Sequence, residues 1–105
     1  MIRMPVTAAE QETIREQVRA LEDELKPDVV RIRYTIERDW TGDWSIDFRI
    51  LLSDSASGPR RLRRVAQKVR RLLGERIHPR ELGLIKYCSF RSASEQADLK
   101  DPAWK

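Results

Sequence analysis

Two stretches with a period of two constrain this chain most. In VVRIRYTIE (29–37), Val30, Ile32, Tyr34 and Ile36 fall on one side, and Arg31, Arg33, Thr35 and Glu37 on the other. In WSIDFRILLS (44–53), Trp44, Ile46, Phe48, Ile50 and Leu52 alternate with Ser45, Asp47, Arg49 and Leu51. Successive strand side chains point to opposite faces, so each stretch reads as a half-buried strand. The linker RDWTGD carries a glycine turn, which predicts an antiparallel hairpin. One apolar face and one charged face predict a sheet covered by helices on a single side.

The flanking segments have helical periods. Ahead of the hairpin, Thr7 and Glu10 have the spacing of a capping box, predicting a helix from Ala8. Ile14, Val18, Leu21 and Leu25 form its apolar stripe, and Pro27 stops it. After the hairpin, Gly58-Pro59 opens a second helix with apolar positions Leu62, Val65, Ala66, Val69, Leu72 and Leu73. This helix ends at Gly74 or runs on through Ile77 to Pro79. LGLIKYCSFR is a third strand in which Leu84, Cys88 and Phe90 compete with Ile85 and Tyr87 for the core side. Ser92 and Glu95 are spaced to cap a short last helix. Residues 2–6, IRMPV, are a candidate for a short extra strand, which Pro5 disfavours as a central one.

The order α-β-β-α-β predicts an α+β domain: a three-stranded, mainly antiparallel sheet with two helices on one face. It reads as a ferredoxin-like fold lacking its first strand, with a sheet edge open to a partner or to a second copy if that place stays empty. The expected organisation is a single domain, 1–105, with its core in 7–91 and a polar tail in 92–105. Charged residues make up 36% of the 105, so the surface must be unusually ionic. One cysteine, Cys88, excludes an internal disulfide. The start MIRMPVTAAEQE lacks a signal-peptide core, and no apolar run approaches a membrane span. A cytoplasmic protein without a membrane association is expected.

No catalytic set emerges, so a non-enzymatic role is expected, with no cofactor and no metal. The carboxylates Glu37, Asp39, Asp43 and Asp47 cluster at the hairpin, but neighbouring Arg33, Arg38 and Arg49 offer ion pairs instead of a cation site. His78 and Cys88 have no companions at ligand spacing. Binding surfaces remain. Trp40 either packs across the hairpin or stands out as an interface anchor. Trp104 reads as a hook for another protein, and Arg31 and Arg33 lie on the exposed strand face. These four are the candidate protein-interface residues.

The stretch RRLRRVAQKVRR (60–71) holds seven cations and no acid. Arg60, Arg61, Arg63, Arg64, Lys68, Arg70 and Arg71 surround its apolar stripe. Three readings stay open: a solvated face paired in part with the acidic first helix, an RNA- or DNA-binding face, or a dock for an acidic protein. The absence of aromatic residues on this face weighs against single-strand recognition.

ERDWTGDWSIDFRILLSD, RRLRRVAQKVRRLL and YCSFRSASEQADLKDPAW together resemble a set of small bacterial proteins encoded beside HEPN-domain proteins in toxin–antitoxin-like two-gene loci. The likeness spans residues 28–104. It implies an α-helical HEPN protein as partner and an antitoxin-like role, and it carries no site residues. RNA or DNA binding through the basic helix is the alternative function.

Overall fold

The computed structural model describes residues 4–105. Its elements run α1 (Ala8–Glu24), β1 (Val29–Arg38), β2 (Trp44–Leu52), α2 (Leu62–Ile77), β3 (Ile85–Ser92), α3 (Ala93–Leu99) and a 3-10 turn η1 (Pro102–Trp104). The α+β class and the element order are those read from the sequence. The capping box is formed: Thr7 Oγ1 accepts from Glu10 N at 3.1 Å, and Glu10 Oε1 accepts from Thr7 N at 2.9 Å. The second helix runs through Gly74 to Ile77 and ends on His78 in the left-handed conformation (φ 52°). Its first helical residue is Leu62, so Pro59 sits in the preceding turn and not in the helix. Met4–Val6 form no strand, and residues 2 and 3 of that proposed element lie outside the described residues.

The sheet order is β1-β2-β3. β1 and β2 form the expected antiparallel hairpin, from Val29↔Leu52 to Arg38↔Trp44. β3 lies directly beside β2 and runs parallel to it, from Ser45↔Ile85 to Leu52↔Ser92. The sheet is therefore mixed. The place of a missing strand is not left empty, because the β2–α2–β3 crossover closes it. The free edges are the outer sides of β1 and β3.

Registers fix the facing. Ile32, Ile46, Phe48, Ile50 and Leu52 are buried against Ile14, Val18 and Leu21 of α1 and Val65, Val69 and Leu73 of α2. Parallel pairing puts Cys88 opposite Phe48 and Phe90 opposite Ile50, so these face the helices, while Ile85 and Tyr87 face away. One inward position departs from strict alternation. The register slips between Val29 and Arg31, a β-bulge that buries Val29 and turns Val30 out.

The opposite face of the sheet is half covered. The chain after β3 folds back over it through α3 and η1. Arg33 Nε donates to the Lys105 carbonyl at 2.9 Å, and Arg49 Nε to the Ala103 carbonyl at 2.7 Å. Leu51 and Trp104 are buried outside the main core, forming a second, smaller apolar layer on this side. Among the described residues, no helix is long and apolar enough to cross a membrane.

Candidate functional site

The uncovered half of the sheet lies at its hairpin end, and its shape follows from Asp39. Oδ1 of Asp39 accepts from Thr41 N at 2.9 Å, Thr41 Oγ1 at 2.5 Å and Asp43 N at 3.1 Å. Oδ2 accepts from the Tyr87 hydroxyl at 2.8 Å, tying the turn to β3 across β2. Gly42 supplies the positive φ (90°) that closes the loop. The inside of the turn is thus occupied by a carboxylate. Trp40, the next residue, is 90% exposed. It does not pack across the hairpin. Trp44 takes the partly buried place, with Arg38 stacked 5.3 Å from its ring centre.

Glu37, Arg38, Asp47, Tyr87 and Ser89 line a shallow depression of about 470 Å³ beside Trp40. Tyr87 is 39% exposed on its β3 side, and Ile85, two residues earlier on the same strand face, is 41% exposed. Four carboxylates, Glu37, Asp39, Asp43 and Asp47, stand at this end against two guanidinium groups, Arg38 and Arg49. The hydrogen bonds from Thr41, then Tyr87 and Asp43, hold the Asp39 carboxyl below its ordinary 3.8. Its partner Tyr87 is pushed above its ordinary 10.0, chiefly by that same hydrogen bond. Asp47 is 3.8 Å from Arg49. Among the described residues, no group of three or more His, Cys, Asp or Glu converges as a cation site.

Other expected interface residues lie elsewhere. Trp104 is 7% exposed, so it is docked on its own domain and is not a free hook. Its ring lies under Arg91 at 4.3 Å. Leu51, the register partner of Arg91, is also buried on this outward face, where the alternating pattern assigns it to solvent. Arg33 is engaged by the Lys105 carbonyl and lies 3.8 Å from Glu22 of α1. Arg31 is half-buried, with a shielded Nε that has no hydrogen-bond partner. Neither arginine adjoins Trp40, so the four residues do not form one surface. Sequence reading also missed the Asp39–Tyr87 bond, and Asp54, which holds Ser94 through both its backbone N–H (3.0 Å) and its hydroxyl. Local patterns carry no signal for either pair, since the partners are far apart in the chain.

The basic residues of α2 sit on the other side of the molecule. All seven, from Arg60 to Arg71, are exposed. Arg61 pairs with Asp28 at 2.7 Å and Arg71 with Glu75 at 3.4 Å. Arg70 stacks on Phe90 at 5.0 Å. Arg60, Arg63, Arg64 and Lys68 form no ion pair among the described residues. The acidic α1 answers α2 at one point, Arg76–Glu24 at 2.7 Å, and Arg76 lies outside the basic run.

Cys88 is half-buried, and burial pushes its thiol above the ordinary 9.0, against the pull of Lys86 and Arg70. That environment opposes thiolate formation. Compared with family models, with curated proteins and with solved structures, the chain matches none of them.

Proposed function

We propose that this chain is a non-enzymatic protein-binding module, antitoxin-like, which contacts its partner through the hairpin tip and the bare half of the sheet. The observation that carries the reading is Trp40. An indole held 90% exposed on a turn that is ordered around a different residue contributes nothing to its own core. Tryptophan is the side chain most enriched among interface residues that dominate binding. The Tyr87 ring lines the same depression, and Ile85 follows on the same face of β3.

The chemistry of the surface describes the partner. It offers an apolar pocket for the indole, rimmed by lysine or arginine to meet Glu37, Asp43 and Asp47. The resemblance to proteins encoded beside HEPN-domain proteins makes an α-helical HEPN-type protein the first partner to test. The test is affinity purification from the native host with nuclease treatment, then titration of the purified pair. A stoichiometric protein is expected, and Trp40→Ala should weaken it by about 2 kcal/mol or more, roughly thirtyfold. The variant should leave folding intact. A monomer that captures no protein, or a pair indifferent to Trp40→Ala, defeats the reading. A second copy of the chain as the bound protein would make the surface a homodimer contact instead.

A further inference from the structure

We infer that the exposed ridge of α2 is a docking surface for duplex DNA, separate from the Trp40 surface and lying on the opposite layer of the molecule. Three observations carry this. The first is the amount of uncompensated charge. Arg60, Arg63, Arg64 and Lys68 have no acidic partner among the described residues, and the single contact that α1 offers, Glu24, is spent on Arg76. The packed-face explanation therefore leaves most of the run unexplained.

The second is where the charge sits. Arg60, Arg63 and Arg64 crowd the start of α2 beside Arg61, which Asp28 neutralises, at the end where the helix dipole already presents positive potential. No acid stands in the first turn, and the N-cap Arg61 makes no side-chain cap. Folding alone would favour the opposite arrangement. A bound anion relieves both the dipole and the mutual repulsion.

The third is the distribution around the helix. At about 100° per residue, Gln67 and Arg71 form the crest. Arg63 and Arg70 fall roughly 60–80° to one side, and Arg64 and Lys68 roughly 40–80° to the other, where one acid, Glu75, also lies and pairs with Arg71. A helix lying in the major groove, about 12 Å wide, meets a phosphate strand on each flank and base edges at its crest. Guanidinium forks suit the phosphates, and glutamine and arginine are the side chains that read adenine and guanine edges. The narrow major groove of A-form RNA does not admit a helix, and the ridge has no aromatic ring on which single-stranded bases would stack. The carboxylates of α1 repel phosphate on its side, so the duplex leans toward β3, where Lys86 donates from Nζ to the Arg70 carbonyl at 3.0 Å and sits against the flank of the helix.

The test is fluorescence anisotropy with a labelled 20-base-pair DNA, against the same sequence as duplex RNA and as single-stranded DNA, and against polyglutamate, over a salt series. Duplex DNA should bind tightest, and log K should fall against log salt with a slope of about −4, for about four phosphates neutralised. Substituting Arg63, Arg64, Lys68 and Arg71 together by alanine should cost at least about thirtyfold and flatten the slope, whereas Arg15→Ala with Arg19→Ala on α1 should change affinity less than about twofold. Circular dichroism of the quadruple variant guards against misfolding. Should it unfold, Arg64→Ala with Lys68→Ala is the substitute, expected to lower the slope by about two. Trp40→Ala should leave DNA binding unchanged, so loss of the protein partner and loss of DNA are told apart. Equal or tighter binding of duplex RNA, single strands or polyglutamate overturns the inference, as does the absence of salt-dependent binding.

Discussion

The Arg91 guanidinium lies 4.3 Å from the centre of the Trp104 ring and also donates to Gln96 Oε1 at 2.8 Å. One side chain of β3 therefore clamps both α3 and η1 onto the sheet. Gln96 completes the clamp by donating from Nε2 to the Asp101 carbonyl at 2.8 Å. Trp104→Ala should lower stability by about 3 kcal/mol, since it empties a buried indole site. Arg91→Met, which keeps apolar cover and removes the cation and its hydrogen bonds, should cost about 1–2 kcal/mol. Urea denaturation measures both. A Trp104→Ala protein within about 0.5 kcal/mol of the parent would restore the reading of Trp104 as a hook.

Val29 and Val30 give a paired test of the bulge. The same change, valine to threonine, buries a hydroxyl at the first position and exposes it at the second. Val29→Thr should cost about 1–3 kcal/mol, and Val30→Thr should stay within about 0.5 kcal/mol. Strict alternation requires the reverse. Urea midpoints of the two variants decide between the registers.

These residues also mark what can be read from the chain. β2 alternates without interruption, and its facing is legible from residues alone. In β1 two adjacent valines satisfy either register, and the slip is a backbone choice that pairing with Leu52 and Leu51 settles. β3 carries apolar residues on both parities, so its facing waits on the parallel pairing with β2. The exposure of Trp40 depends on Asp39 filling the turn, a loop-internal arrangement with no periodic signal. The docking of Trp104 depends on Arg91, a cation whose stacking partner lies thirteen residues on and leaves no periodic signal. The basic ridge was fully legible, because charge at helical spacing needs no tertiary partner. Which of its cations stay unpaired was not, since Arg61 finds Asp28 and Arg71 finds Glu75 while Arg60, Arg63, Arg64 and Lys68 find no acid among the described residues.

Asp39 and Tyr87 should titrate as a pair in opposite directions. Asp39 is held below its ordinary value, first by Thr41 and then by Tyr87 and the turn amides. Its contribution to stability is present above the unfolded carboxyl's pKa of about 3.9 and is lost as the pH falls through the lower folded value. Tyr87 is raised, so its contribution is present below the unfolded phenol's value and is lost as the pH rises through the higher folded one. Tyr87→Phe should move Asp39 upward, though not fully, because the Thr41 bonds remain. Carbon-detected NMR of the carboxyl reads this directly. An Asp39 titration unmoved by Tyr87→Phe would mean that the two groups are not bonded in solution.

Cys88 is the only thiol of the chain. Burial raises its pKa above 9.0, and the opposing pull of Lys86 and Arg70 is the smaller effect. At pH 7.5 the thiolate fraction is therefore below that of a free cysteine, and the ring of Phe90 and the α2 side chains limit access. Reaction with an aromatic disulfide reagent should run at less than about a tenth of the free-cysteine rate, and should reach that rate in denaturing urea. Linkage adds a second reading. The folded state holds its thiol proton to higher pH than the unfolded chain, so stability should decline as the pH climbs past the unfolded thiol's ordinary value and level off above the folded one. A native thiol that reacts faster than free cysteine would point the other way, to an activated nucleophile. It would then replace the binding reading with a catalytic one centred on β3.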